Sequence, residues 1–257
     1  MIKTGVAGAL GRMGQEVVKA LINNPDTLLV CALDKVETGK KICESIEIES
    51  DIIKSIKANK PDVIVDFTEP SVVFENAKIY LQNKVKPVIG TTGLNDNQIE
   101  ELRKISEKNN TGCLIAPNFA TGAVLMMMFA KIAAKYFNNA EIIEFHHNQK
   151  KDAPSGTAVK TAQMMAEVNS DFRNGNIKDT EILEGARGAK YKSGINIHSI
   201  RTPGFIATQE VIFGANGQIL TIRHDTQNRE CFMPGVLLAV KHVFKNNDFV
   251  FGLENIL

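Results

Sequence analysis

Three glycines at positions 8, 11 and 14 lie between a short apolar start and a segment, 15–23, whose Val17, Val18, Leu21 and Ile22 recur at helical spacing. A strand that breaks into glycine and restarts as a helix opens a βαβ unit: a backbone without Cβ atoms turns tightly and brings the helix start close to a ligand. The next run, 27–33, reads T-L-L-V-C-A-L and suits a strand buried on both faces of a parallel sheet. It ends at Asp34, about 20 residues beyond the last glycine, where a dinucleotide-binding fold places an acidic group on the adenosine ribose. The glycines read G-x-x-G-x-x-G rather than the commoner G-x-G-x-x-G, so this context, more than the triad itself, points to a nicotinamide or flavin dinucleotide. Asp34 favours the free ribose hydroxyls of NAD, whereas Lys35 could pair with the extra phosphate of NADP, and the residues leave both open.

Strand and helix patterns then alternate. Segments 51–58, 71–83 and 94–109 read as helices, and 61–67, 86–89 and 112–116 as buried strands. Each strand stops in small or hydroxyl residues: the loop at 8–13, Phe67 and Thr68, Gly90 to Thr92, and Ala116 to Phe119. A parallel sheet binds ligands at the carboxyl ends of its strands, so these loops are expected to line one crevice. After residue 119 the pattern changes. Segment 122–137 is an apolar helix whose Met126, Met127 and Met128 suit a core or a subunit contact. A strand at 140–145 and a helix at 157–168 follow, then a polar loop at 169–194. Segments 194–200, 207–213 and 219–225 read as antiparallel strands with a hairpin turn at 214–217, and 234–244 as a closing helix. The expected class is α/β: a dinucleotide-binding domain with a second α+β domain carrying a mostly antiparallel sheet.

The densest chemistry lies at 144–158, E-F-H-H-N-Q-K-K-D-A-P-S-G-T-A, where a strand gives way to a helix. Histidine titrates near neutrality, so His146 and His147 offer a proton donor and a hydrogen-bonding partner. Successive strand residues face opposite ways, so the two should not do the same job. Pro154, Ser155, Gly156 and Thr157 read as a helix entrance, whose unpaired N–H groups and positive dipole end favour an anion. With Lys150 nearby, a carboxylate-bearing substrate is the natural guess.

Thirty basic against 29 acidic residues leave a formal charge of +1, no global field to hold nucleic acid or an anionic membrane. The four cysteines, at 31, 43, 113 and 231, show no zinc-ligand spacing, so no metal is expected and reduced thiols are. The sequence starts directly on a strand pattern with no leader and contains no run long enough to span a bilayer, so a soluble cytoplasmic protein is expected.

Six motifs together resemble the 4-hydroxy-tetrahydrodipicolinate reductase (dihydrodipicolinate reductase) family. They are G-A-L-G-R-M-G at 8–14, D-F-T-E-P at 66–70, G-T-T-G at 90–93, A-P-N-F at 116–119, H-H-N-Q-K-K-D-A-P-S-G-T-A at 146–158 and R-H-D-T-Q-N-R-E-C-F at 223–232. The resemblance implies a Rossmann domain over 1–118, a substrate-binding and oligomerisation domain over 119–229, and a return of 230–257 to the first domain. It implies a homotetramer of bacterial lysine and diaminopimelate biosynthesis that reduces a cyclic hydroxy-dicarboxylate to tetrahydrodipicolinate with NADH or NADPH and loss of water. By the same resemblance His146 looks like the proton donor and Lys150 its assistant, with His147, Ser155, Gly156 and Thr157 on the substrate carboxylates. Gly8, Ala9, Leu10, Gly11, Arg12 and Met13 correspond to cofactor-binding loops, as do Asp34 and Lys35. So do Phe67, Thr68, Gly90, Thr91, Thr92, Ala116, Pro117, Asn118 and Phe119. One departure is Gln209, where many members carry a late histidine. Two rival readings are another dinucleotide oxidoreductase with Cys113 as nucleophile, and a non-catalytic dinucleotide sensor, which would leave His146, His147 and Lys150 without a purpose.

Overall fold

The computed structural model describes residues 1–43, 46–172 and 180–257. They form two units, Met1–Thr121 with Arg229–Leu257, and Gly122–Asn228. The chain begins β1 (Ile2–Ala7), α1 (Arg12–Asn23), β2 (Thr27–Leu33), β3 (Lys41–Cys43) and β4 (Ile46–Glu49). There follow α2 (Ile52–Asn59), β5 (Val63–Asp66), α3 (Val73–Gln82), β6 (Lys86–Ile89), α4 (Asp96–Asn109) and β7 (Cys113–Ile115). Next come α5 (Thr121–Ala133), β8 (Asn139–His146), α6 (Gly156–Ala166), β9 (Ala189–Lys190), β10 (Asn196–Arg201), β11 (Ala207–Ala215) and β12 (Gln218–Thr226). The chain ends with α7 (Met233–Lys245) and β13 (Phe249–Phe251).

In the first unit eight strands order as β13-β7-β6-β5-β1-β2-β4-β3, parallel throughout except for the β3–β4 pair. The central strands are the continuous apolar runs, and every residue of β5 is buried. The order reverses at β1, whose neighbours β2 and β5 lead away to opposite edges, and ligands bind at such switch points. Helix α1 buries Val17, Val18 and Leu21 and leaves Ile22 about half exposed, while α7 buries Val236, Ala239, Val240 and Val243. Each of these valines and the leucine, taken from water, contributes about 1.5–3 kcal/mol. Helix α4 starts in a reciprocal capping box between Asn95 and Gln98.

In the second unit five strands order as β12-β11-β8-β10-β9. Ala130, Ala133, Ala158, Ala162 and Met165 of α5 and α6 cluster with Ala140, Ile142, Ile197, Val211 and Phe213 of the sheet. Met126 and Met127 are buried.

The α/β class with a second, mostly antiparallel sheet is what the sequence implies, but details differ. Segment 194–200, expected to be antiparallel, forms β10, which runs parallel to β8 and meets only the two-residue β9 in the antiparallel sense. The long connection through α6 lets the chain re-enter the sheet in the same direction, as a crossover does. Helix α1 begins at Arg12, three residues before the expected 15, because a glycine at a helix start is no barrier when the next turn is well packed. β3, β4 and β13 carried no apolar run long enough to announce them. The expected loop at 169–194 is mostly irregular where described, and 173–179 lie outside the described residues.

Candidate functional site

The first unit holds a cleft of about 470 Å³ at the carboxyl ends of β1, β2 and β5. Gly8 turns there with φ +76°, and a Cβ on it would lie 2.4 Å from the Phe67 carbonyl oxygen. A Cβ on Gly14 would lie 2.0 Å from the Gly8 carbonyl oxygen, so α1 abuts the loop only because that position is bare. The loop is pinned to β2: the N–H groups of Gly8 and Ala9 donate to the Leu33 carbonyl at 2.9 and 3.1 Å, and that of Leu10 donates to Asp34 Oδ2 at 3.0 Å. Gly11 precedes α1 with no side chain capping the helix, which leaves the first N–H groups and the positive dipole end to an anion. This cradle fits a dinucleotide pyrophosphate with its adenosine in the cleft.

Of the expected cofactor residues, Gly8, Leu10, Gly11, Asp34, Lys35, Phe67 and Thr68 line the cleft. Ala9 is buried beneath the loop, and Arg12 and Met13 open α1. Gly90, Thr91, Thr92, Ala116, Pro117, Asn118 and Phe119 lie outside the lining, yet several are tied to it. The Phe119 ring sits 5.8 Å from that of Phe67, and the Thr91 hydroxyl donates to Asp66 at 3.1 Å. Asn118 accepts from the N–H of Ala120 at 2.9 Å, whereas Thr92 and Pro117 are exposed.

The residue that ties these loops together is one that the sequence shows only as the first letter of D-F-T-E-P. Asp66 ends β5 fully buried, with Oδ1 accepting from the Thr68 N–H (3.0 Å) and hydroxyl (2.6 Å) as well as Thr91, and Oδ2 from Tyr80 (3.0 Å) and Asn76 (3.3 Å). Burial, then the carboxylate beside it, pushes the Tyr80 hydroxyl well above its ordinary pKa, so it stays a donor. Lys35, which could pair with the extra phosphate of NADP, is itself paired with Glu69 at 2.7 Å.

In the second unit His146 is the last residue of β8, at the middle of the sheet. Its Nδ1 is hydrogen-bonded to Glu144 Oε2, two residues back along the same face. Glu144 is fully buried and takes a fork from Arg201, with Nη1 to Oε2 at 2.8 Å and Nη2 to Oε1 at 2.6 Å. The Ser155 N–H donates to Glu144 Oε1 at 3.1 Å. Burial raises the carboxyl, but the hydrogen bonds from His146 and Arg201 outweigh it and bring Glu144 down to about 2. Arg201 also donates to the Asp152 carbonyl at 2.9 Å, and so fastens the loop between β8 and α6.

Ser155 caps α6 and accepts from Ala158 at 3.2 Å, leaving the N–H groups of Gly156 and Thr157 for another acceptor. A Cβ on Gly156 would meet nothing within 4 Å, so the helix start faces open space. His147 is exposed, and Lys150 is held by both oxygens of Asp152 at 2.8 and 2.9 Å. Gln209 is buried on β11 and donates to the Thr161 hydroxyl at 2.8 Å, a packing role. Cys113 is fully buried and burial pushes its thiol up, the reverse of what a nucleophile needs.

Glu144, Arg201, Asp152, Asp66 and Glu69 were the residues sequence reasoning missed. Glu144 had a signal: in β8 it continues the row of buried Ala140 and Ile142, so a carboxylate stands where an apolar residue belongs.

Two family models cover nearly the whole chain, "Dihydrodipicolinate reductase, N-terminus" over residues 2–119 and "Dihydrodipicolinate reductase, C-terminus" over 122–257. The chain belongs to the dihydrodipicolinate reductase family. By that membership it is an NAD(P)H-dependent reductase, of a family serving lysine and diaminopimelate biosynthesis, and its N-terminal half is the dinucleotide-binding one. It is 51% identical to the 4-hydroxy-tetrahydrodipicolinate reductase of Listeria innocua, with 100% of each chain covered. It is 49% identical to that of Bacillus pumilus, covering 100% of this chain and 98% of the other. The dipicolinate-bound dihydrodipicolinate reductase of Paenisporosarcina sp. TG-14 superposes with a TM-score of 0.94 at 48% identity, each chain covered completely. Among the described residues no helix is long and apolar enough to cross a membrane, and no cluster of His, Cys, Asp and Glu could hold a metal ion.

Proposed function

We propose that this chain reduces 4-hydroxy-tetrahydrodipicolinate to tetrahydrodipicolinate, with His146 as the proton donor and Lys150 assisting. The Glu144–His146 hydrogen bond carries the reading. A carboxylate on Nδ1 fixes that nitrogen as a donor, so in the protonated ring Nε2 is the one that gives up its proton. Arg201 keeps Glu144 from taking the proton itself, since its guanidinium fork favours the ionised carboxylate. The nicotinamide, once bound, supplies the hydride. The 4-hydroxyl leaves as water, which opens an unsaturated ring to the hydride; the negative charge then left on the ring needs a proton from a poised acid, and His146 meets that need.

A dicarboxylate needs two anion contacts. The Gly156 and Thr157 N–H groups, with the Ser155 hydroxyl, which accepts at the cap and keeps its own proton to donate, suit one carboxylate. His147 and Lys150 suit the other, Lys150 leaving Asp152 to make the contact. The relative solved with dipicolinate supports this substrate class. Ala9, Arg12 and Met13 are assigned to the cofactor with the cleft-lining residues, and Gly90, Thr91, Thr92, Ala116, Pro117, Asn118 and Phe119 to its nicotinamide end. We assign the protein to the cytoplasm and to a homotetramer joined through the second-unit sheets. The edge strand β12, with Ile219 77% exposed, supports that assembly.

The test is the loss of nicotinamide absorbance with enzymatically generated 4-hydroxy-tetrahydrodipicolinate, run separately with NADH and NADPH. Rapid oxidation with either is the expected result. Tight dinucleotide binding with no oxidation would defeat the substrate assignment and leave the cofactor half standing.

A further inference from the structure

Lys35 follows the ribose-reading position Asp34 at the end of β2, and Glu69 lies in the loop after β5, so the two residues approach from the strands that flank β1. Among the described residues, Asp34, Lys35 and Glu69 are the charged side chains in the lining of the cleft, two carboxylates against one ammonium. That ammonium is already engaged, with Lys35 Nζ 2.7 Å from Glu69 Oε2.

We propose that Glu69 is a specificity-determining residue that biases this cleft toward the unphosphorylated dinucleotide by occupying Lys35 and adding a second negative charge beside the ribose. The inference rests on the cleft being the adenosine site. A ribose 2′-hydroxyl can donate to Asp34 and leaves the Lys35–Glu69 pair undisturbed. A 2′-phosphate is a dianion at its second ionisation, so it must take Lys35 from Glu69 and then lie between two carboxylates. The pair is 71% and 55% exposed, so it adds little to folding stability, and its effect is felt by a charged ligand. The loop does not depend on this carboxyl either: the hydrogen bonds that shape it run from the Val72 and Val73 N–H groups to the Glu69 carbonyl, which glutamine keeps.

The experiment is titration of the full-length protein with NADH and with NADPH, read by nicotinamide fluorescence, for the wild type, Glu69→Gln and Asp34→Ala. Glu69→Gln should tighten NADPH about three- to fivefold and leave NADH within about twofold, the scale of an exposed ion pair. The gain should shrink as salt is raised, because exposed charges are screened. An NADPH affinity that stays the same or weakens in Glu69→Gln overturns the proposal. Asp34→Ala separates the two readings. If it weakens NADH while Glu69→Gln changes nothing, only the role of Glu69 falls. If it leaves NADH binding untouched, the cleft is not the adenosine site and both fall.

Discussion

Each unit of the molecule is built around one buried carboxylate at the carboxyl end of a central strand, and the two are held in opposite ways. Asp66 in the first unit is surrounded by neutral donors: two threonines, a tyrosine and an asparagine. Glu144 in the second is held by a guanidinium and an imidazole. A ring of hydroxyls and amides satisfies the carboxylate oxygens with neutral donors and fixes the positions of the loops that carry them. A guanidinium fork and an imidazole make the carboxylate an electrostatic anchor whose loss leaves a cation stranded. The first arrangement suits a site that recognises its ligand with backbone N–H groups, and the second suits a site that must move a proton.

That contrast breaks most sharply at Glu144. Replacing it by alanine strands Arg201 and should cost about 3–5 kcal/mol in denaturant unfolding, the scale for breaking a buried ion pair. The pH dependence has a definite sign. The folded-state pKa is depressed to about 2, so the contribution is present above the ordinary glutamate range and is lost as pH falls from there through about 2. The wild type should therefore lose stability over that interval more steeply than Glu144→Ala, and parallel curves would sink the anchor role. His146→Gln comes next in size. It should lower turnover about a hundredfold or more while unfolding and NADH affinity stay near wild type, and unchanged turnover would remove His146 from the mechanism.

The fold was legible because its signals are local. The apolar runs of β2 and β5, the glycines before α1 and the period of α7 each report on their own neighbourhood, and the observed elements begin and end within a few residues of those patterns. The parallel pairing of β10 was not legible, since an apolar strand reads the same in either direction and its partner is set by a crossover far away in sequence. The same divide runs through the candidate site. His146, Lys150 and the α6 start are one continuous stretch, whereas Arg201 and Glu144 meet only after β8 and β10 pair in register, His146 opposite Arg201. Asp66 was in view as a motif letter, but its meaning depends on Tyr80 and Thr91, which reach it from α3 and from the loop after β6.

The smallest effect tests the neutral arrangement. Asp66→Asn keeps shape and volume but turns one acceptor oxygen into a donor amide, which must face the donors now on Oδ1 or those on Oδ2. A buried donor set left without its acceptor costs about 1–3 kcal/mol, so unfolding should shift by that amount. Because Asp66 acts through loop shape, NADH should bind more weakly in the variant, and added salt should not restore or deepen the loss. A strong salt dependence of that loss would mean the Asp66 charge is felt at the cofactor directly. The contrast between a carboxylate that shapes and one that anchors would then be wrong for the first unit.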